Sequence, residues 1–162
     1  MKNNIKRISV YLLSMFLLTS CAVGQKSPKP TPIPYKVTDY NGIYKLDSLG
    51  KEFVMKRDGI TEKYTVTKQD AVELENIKKA VVTFSKYTNS PAISIEFDAI
   101  GTTKFKELTQ NNIGKQLAFI FNNKLLICPK VQSAITQGKV EITSNLSLQE
   151  TSSIVAYINE NK

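Results

Sequence analysis

Ala92-Ile93-Ser94-Ile95-Glu96-Phe97-Asp98 is the stretch that decides how the folded part of this chain is read. Strict alternation puts Ile93, Ile95 and Phe97 on one face and Ser94, Glu96 and Asp98 on the other, the pattern of a half-buried strand. Gly101 to Asn111 then changes period and reads as a helix, with Phe105 and Leu108 pointing one way and Lys104, Lys106 and Glu107 mostly outwards. A one-sided strand feeding an amphipathic helix implies an α+β fold, a mixed or antiparallel sheet with two or three helices packed on it. Glu96 and Asp98 on one face also fit paired catalytic carboxylates or a cation site. A solvated strand face accounts for both without any chemistry, and it is the reading adopted.

Towards the C-terminus, Gln116 to Phe121 and Lys124 to Cys128 form a second pair of strands joined at Asn122-Asn123, residues that accept left-handed backbone and suit a tight turn. Lys139 to Thr143 is a further strand. Ser147-Leu148-Gln149-Glu150 is a capping box that opens a last helix burying Leu148, Thr151, Ile154, Val155 and Ile158. Towards the N-terminus, Val81 to Ser85 is a strand joined to Ala92 by a turn at Thr88 to Pro91. Glu73 to Ala80, with Leu74, Ile77 and Ala80 at i, i+3, i+6, reads as a helix. Lys51 to Arg57 and Ile60 to Val66 flank Asp58-Gly59, a strong hairpin signal, and Ile43 to Asp47 is a short strand of its own.

Ahead of this domain, residues 24 to 34 hold Pro28, Pro30, Pro32 and Pro34 at every second position, which excludes helix and inner strand and favours an extended linker. Residues 1 to 7 carry Lys2, Lys6 and Arg7 with no acid, and Ile8 to Leu18 is largely apolar, which is the pattern of an export signal; apolar residues spanning only Ile8 to Val23 are too few to cross a bilayer comfortably. Leu18-Thr19-Ser20-Cys21 resembles the lipobox of bacterial lipoproteins, and that resemblance implies lipidation of Cys21 and cleavage just before it. The expected organisation is a signal peptide over 1–20, a lipidated Cys and Pro-rich linker over 21–35, and one α+β domain over 36–162.

Composition narrows the function. The 162 residues contain no histidine and no tryptophan, so Ser/His/Asp and Cys/His relays and imidazole metal sites are impossible. The formal charge of +8 is almost all lysine; loss of residues 1–20 removes Lys2, Lys6 and Arg7 and lowers it to +5. These lysines are spread without arginine or aromatic clusters, which argues for solubility and weak attraction to anionic lipid and against nucleic acid. With Cys21 consumed by lipid, Cys128 has no partner and reads as a small buried hydrophobe at a strand end. No catalytic residue, cofactor or metal site is expected.

Taken together, Ser94-Ile95-Glu96-Phe97, Ile100-Gly101-Thr102-Thr103-Lys104-Phe105-Lys106-Glu107-Leu108-Thr109 and Asn112-Ile113-Gly114-Lys115-Gln116-Leu117-Ala118-Phe119-Ile120 resemble the head subdomain of the first extracytoplasmic domain of the SecD/SecDF protein-export family. The likeness continues through Asn123-Lys124-Leu125-Leu126, Pro129-Lys130-Val131, Ile135-Thr136-Gln137-Gly138, Ile142-Thr143-Ser144-Asn145 and Leu148-Gln149-Glu150-Thr151. It covers about Ala92 to Ile158, with a weaker trace over Val72 to Phe84 that extends the head-like part to 72–160. Residues 36–66 show no such likeness. Gly101, Gly114 and Gly138 are read as scaffold positions, the first two bracketing the helix, so the resemblance transfers architecture more safely than activity.

The resemblance implies a membrane-anchored, extracytoplasmic, non-catalytic binding module that contacts unfolded exported polypeptide or the Sec translocon. Lacking a transmembrane bundle and room for a base subdomain, the chain is not expected to do proton-driven work. Ala22 after the lipidated Cys implies the outer membrane, facing the periplasm, in a two-membrane cell. The competing expectation is an envelope interaction or structural lipoprotein that reuses the fold to bind another protein or a glycan, with residues 36–66 as its interface.

Overall fold

A computed structural model describes residues 39–57 and 59–162. The expected signal peptide, Cys21, the expected Pro-rich linker and Asp58 lie outside the described residues. The elements in chain order are β1 (Gly42–Arg57), β2 (Ile60–Val66), β3 (Val72–Glu73), a short 3-10 turn (Leu74–Asn76), β4 (Ile77–Phe84), β5 (Pro91–Phe97), α1 (Ala99–Asn111), β6 (Leu117–Phe121), β7 (Lys124–Ile127), β8 (Lys139–Thr143) and α2 (Leu148–Asn161). Among the described residues every strand pairing is antiparallel. The fold is α+β as expected, but it holds two sheets rather than one. β2-β1-β6-β7 with β3 on β1 forms a five-stranded sheet, and β4-β5-β8 forms a three-stranded one.

The deciding stretch behaves as its alternation requires. Ile93, Ile95 and Phe97 are buried on the central strand β5, while Ser94 and Glu96 face the other way and stay half-exposed. Phe105 and Leu108 of α1 bury against them, Phe105 stacking tilted on Phe97 with ring centroids 4.7 Å apart. Thr151, Ile154 and Ile158 of α2 close the same core from another side, at the i, i+3, i+7 spacing of one helical stripe. Leu148, expected inside, is half-exposed in the first turn of α2, ahead of that stripe. The Ser147–Glu150 capping box forms, satisfying two backbone donors of the helix start.

The helix expected over Glu73 to Ala80 is absent, and the reason is instructive. Leu74, Ile77 and Ala80 are all buried, so the apolar residues were read correctly and the period was not. A 3-10 turn has three residues per turn and carries Leu74 to Ile77. The pairing of β4 with β5 then shifts between Ile77↔Phe97 and Lys79↔Glu96, a bulge that absorbs one extra residue and returns Ala80 to the face of Ile77. A turn plus a bulge thus imitates helical spacing.

Two strands expected as separate pieces are one. β1 pairs with β6 over Gly42 to Lys45, loops out between Leu46 and Lys51, and continues to Arg57 against β2. Both Leu46 and Lys51 sit opposite Val66, so the intervening residues form the irregularity, fastened by the Leu49 N–H donating to Asp47 Oδ1 at 3.0 Å. The expected hairpin is present, with Arg57 opposite Ile60 and Gly59 at φ +79° in the turn. At the other hairpin Asn122 and Asn123 both adopt left-handed backbone, φ 52° and 55°.

The bent hairpin creates a second apolar cluster. All five residues of β6 are buried because both sheet faces are covered. Leu117, Phe119 and Phe121 face the main core with β5, α1 and α2. Ala118 and Ile120 face Tyr44, Phe53, Met55, Val66, Leu125 and Cys128. No helix among the described residues is long and apolar enough to cross a membrane.

Candidate functional site

The three-stranded sheet has one face turned to the core and one carrying polar side chains. Pairing of Val81 with Ser94 and of Ser94 with Glu141 aligns Lys79, Val81 and Thr83 of β4, Ser94 and Glu96 of β5, and Lys139, Glu141 and Thr143 of β8 on the outer face. Glu96 is its electrostatic centre. Lys78 Nζ lies 2.7 Å and Lys139 Nζ 3.3 Å from its two carboxylate oxygens. The hydrogen bond from Lys78, then that from Lys139, holds the Glu96 carboxyl below the usual glutamate range, and the same bond raises Lys78.

One edge of this sheet is occupied by the molecule itself. The Asn159 side chain on α2 accepts from the Ala80 N–H at 3.1 Å and donates to the Ala80 carbonyl at 2.8 Å, taking the place of a neighbouring strand, and Lys162 Nζ donates to the Lys78 carbonyl. Beyond this clamp the β4–β5 turn presents Phe84, half-exposed, and Tyr87, almost wholly exposed. Sequence periodicity gave no sign of the clamp, because Asn159 reads as an ordinary polar position near a helix end.

A concavity of about 710 Å³ lies between the β1–β3 region and α1 and is lined by Lys45, Lys68, Lys104 and Lys115 together with Asp70, Glu73 and Glu107. Lys45 pairs with Asp70 at 3.0 Å, and Lys104 donates to Asn76 Oδ1 at 3.1 Å. Lys68 stands 3.7 Å from Glu73, outside hydrogen-bond reach of its Oε1. The charges largely answer one another, so the cleft has no strong preference of sign.

The sequence candidates separate. Asp98 is not on the solvated strand face with Glu96. It is the N-cap of α1, its Oδ1 accepting the Gly101 N–H at 2.6 Å, so the two carboxylates serve an ion-pair network and a helix start. Gly101 does not bracket that helix but lies inside its first turn. An added Cβ there would sit 2.2 Å from the Asn76 carbonyl oxygen, and that close approach is what requires glycine. Cys128 is buried among the second cluster, and burial, with the Glu62 charge a lesser cause, pushes its thiol up to about 12. It is an inert hydrophobe at native pH.

Comparison with known proteins places these features. The profile of the SecDF P1 head subdomain family matches residues 51–162. The match takes in the second half of β1 and its hairpin, a region for which sequence reading gave no likeness. SecD translocase subunits align with the chain: that of Treponema pallidum at 32% identity over 117 residues, 72% of this chain and 19% of the relative. That of Rickettsia conorii aligns at 35% over 94 residues, 57% and 18% respectively, and that of Magnetococcus marinus at 32% over 85 residues, 52% and 16%. The chain therefore spans less than a fifth of these relatives' length. Among solved structures, a membrane component SecDF that enhances protein export superposes with TM-score 0.59 at 19% identity, covering 74% of this chain and 61% of that one. SecDF in its super-membrane-facing form superposes with TM-score 0.56 at 20% identity over 74% of this chain and 18% of that one.

Proposed function

The chain belongs to the SecDF P1 head subdomain family, a protein-export family and not an enzyme class, and from that premise we propose that it is an extracytoplasmic binding module that contacts exported polypeptide beside the Sec translocon and does no chemistry. The family match over residues 51–162 carries this reading. An open polar sheet face with Phe84 and Tyr87 exposed at one turn supports it, since mixed polar and apolar side-chain contacts can hold an extended polypeptide without sequence selectivity. Residues 1–20 act as its export signal and Cys21 as its lipid attachment point, with the linker to residue 35 giving a reach of roughly 40 Å from the membrane at polyproline spacing. In a two-membrane cell Ala22 directs it to the outer membrane.

The test is photo-crosslinking in the native cell from Lys79, which stands on the outer face opposite Glu96 without being its ion-pair partner. Secreted chains or Sec subunits are the expected captures. One unrelated envelope protein, captured reproducibly, would replace export with the envelope-binding role. Cys21→Ala should release the protein from membranes, and retention of that variant would overturn the lipid anchor.

A further inference from the structure

β8 is the edge of the three-stranded sheet that the molecule leaves open. Among the described residues it pairs with β5 alone. The Phe97 N–H donates to the Gly138 carbonyl at 2.9 Å, which makes Phe97↔Gly138 a hydrogen-bonded pair and, by alternation, also Ile95↔Val140 and Ile93↔Ile142. The backbone groups of Gly138, Val140 and Ile142 therefore point into the sheet, and those of Lys139, Glu141 and Thr143 point away from it.

The charges on this edge are self-complementary. Lys139 and Glu141 are two residues apart, share the outer face and flank Val140. An identical strand brought up antiparallel about a two-fold axis through Val140 sets Lys139 against the second copy's Glu141, and Glu141 against its Lys139. The same registry makes these two the hydrogen-bonded pairs, which is what their outward backbone requires. Among the described residues no other edge has this property: β7 carries one charged residue, Lys124. On β2 the neighbours Glu62 and Lys63 face opposite sides, so a two-fold antiparallel pairing sets like on like, and on β4 Asn159 already occupies Ala80. Behind the β8 edge lies an apolar crevice of about 210 Å³, lined by Phe105, Phe119, Ile135, Val140 and Ile142.

We propose that this edge is a self-association surface: two copies join β8 to β8 antiparallel about Val140, making one six-stranded sheet closed by a pair of Lys139–Glu141 ion pairs. A closed two-fold contact of this kind uses up the edge and cannot propagate.

The full chain in detergent is tested by sedimentation across concentration. The wild type should dimerise. Lys139→Glu and Glu141→Lys each place like charges opposite one another at both ends and should weaken association by about tenfold or more. An equimolar mixture of the two variants restores both pairings and should recover the dimer. Val140→Cys should form an intermolecular disulfide, since the non-hydrogen-bonded pair brings the Cα atoms to about 4.5 Å, whereas Ile142→Cys, facing the second copy's Gly138, should not. Dimers unaffected by either charge variant would move the interface elsewhere and overturn the proposal. A monomeric wild type would overturn it as well, and if unfolded carboxymethylated lactalbumin bound that monomer and was lost on Glu141→Lys, the edge would belong to client chains instead. Failure of lactalbumin binding alone, with the dimer intact, would count against the export reading and leave the dimer standing.

Discussion

The two apolar clusters on either side of β6 are built differently, and the contrast explains what holds each together. The main core is closed by elements that carry their own local reinforcement: Asp98 caps α1, the Ser147–Glu150 box caps α2, and Asn159 ties α2 to β4. The second cluster is roofed by a hairpin that turns back on its own strand and is tied down mainly by side chains. Phe53 and Tyr44 meet Tyr40 with centroid distances of 5.3 Å each, and Lys51 lies 5.0 Å above the Tyr40 ring. Among the described residues, Lys51 to Arg57 of β1 pair with β2 alone, so the hairpin is held to the rest by packing and should open more readily than the core beneath.

That difference can be broken by cutting one large side chain from each cluster. Phe105→Ala removes a fully buried ring from the main core and should cost about 3–5 kcal/mol in urea denaturation. Phe53→Ala, at the edge of the second cluster where the hairpin can settle into the space, should cost about 2–3 kcal/mol, below or at the low end of that range. Cys128 reports which part has opened. With its thiol pushed up to about 12 it stays protonated and sheltered at pH 8 in the native protein. Phe53→Ala should raise its alkylation rate well beyond what global unfolding predicts, and Phe105→Ala only in step with unfolding. Equal behaviour of the two variants would mean the clusters form one cooperative unit.

The next largest effect is expected where the two sheets meet α1. Gly101→Ala would press a Cβ to 2.2 Å from the Asn76 carbonyl oxygen, a backbone atom that cannot swing away. The Asn76 carbonyl also accepts the Asp98 N–H, so displacing it disturbs the helix cap too. A loss of about 1–3 kcal/mol is expected, of the size found for overpacking, with Cys128 labelling unchanged relative to global unfolding. A neutral result would show that the helix start can shift sideways without cost.

The same contrast separates what could be read in the sequence from what could not. Strands and helices of the main core announce themselves locally: period two in β5, a capping box at Ser147, paired asparagines at the β6–β7 turn. The second cluster has two local signatures, the Asp58-Gly59 hairpin turn and Leu117-Ala118-Phe119-Ile120-Phe121, an unbroken apolar run that fits a strand covered on both faces, but neither says that the hairpin folds over that strand. The fold-back of β1 depends on an irregularity at residues 47–50 that no periodicity predicts. Of the candidate surface, Glu96 was legible as an outward residue on a sheet face. Its lysine partners were not, because Lys78 owes its place to a bulge and Lys139 lies more than forty positions away in sequence.

The smallest effect tests whether that surface network is ionic in substance. Glu96 has its folded-state ionisation lowered by Lys78 and Lys139, so its contribution is complete above the ordinary glutamate value of about 4.3 and is lost as pH falls through the depressed one. Lys78, raised by the same bond, contributes below the ordinary lysine value of about 10.4 and loses that contribution as pH rises through the raised one. The urea midpoint of Glu96→Gln should therefore lie slightly below wild type near pH 7 and converge with it both in strong acid and in strong base. High salt at pH 7 should narrow the gap as well, since all three groups are screened by solvent. A gap that persisted at pH 2 would mean Glu96 acts by packing. Because β5 belongs to the main core, Cys128 labelling should not respond to this substitution, and a response would show that the two clusters are coupled through the sheet after all.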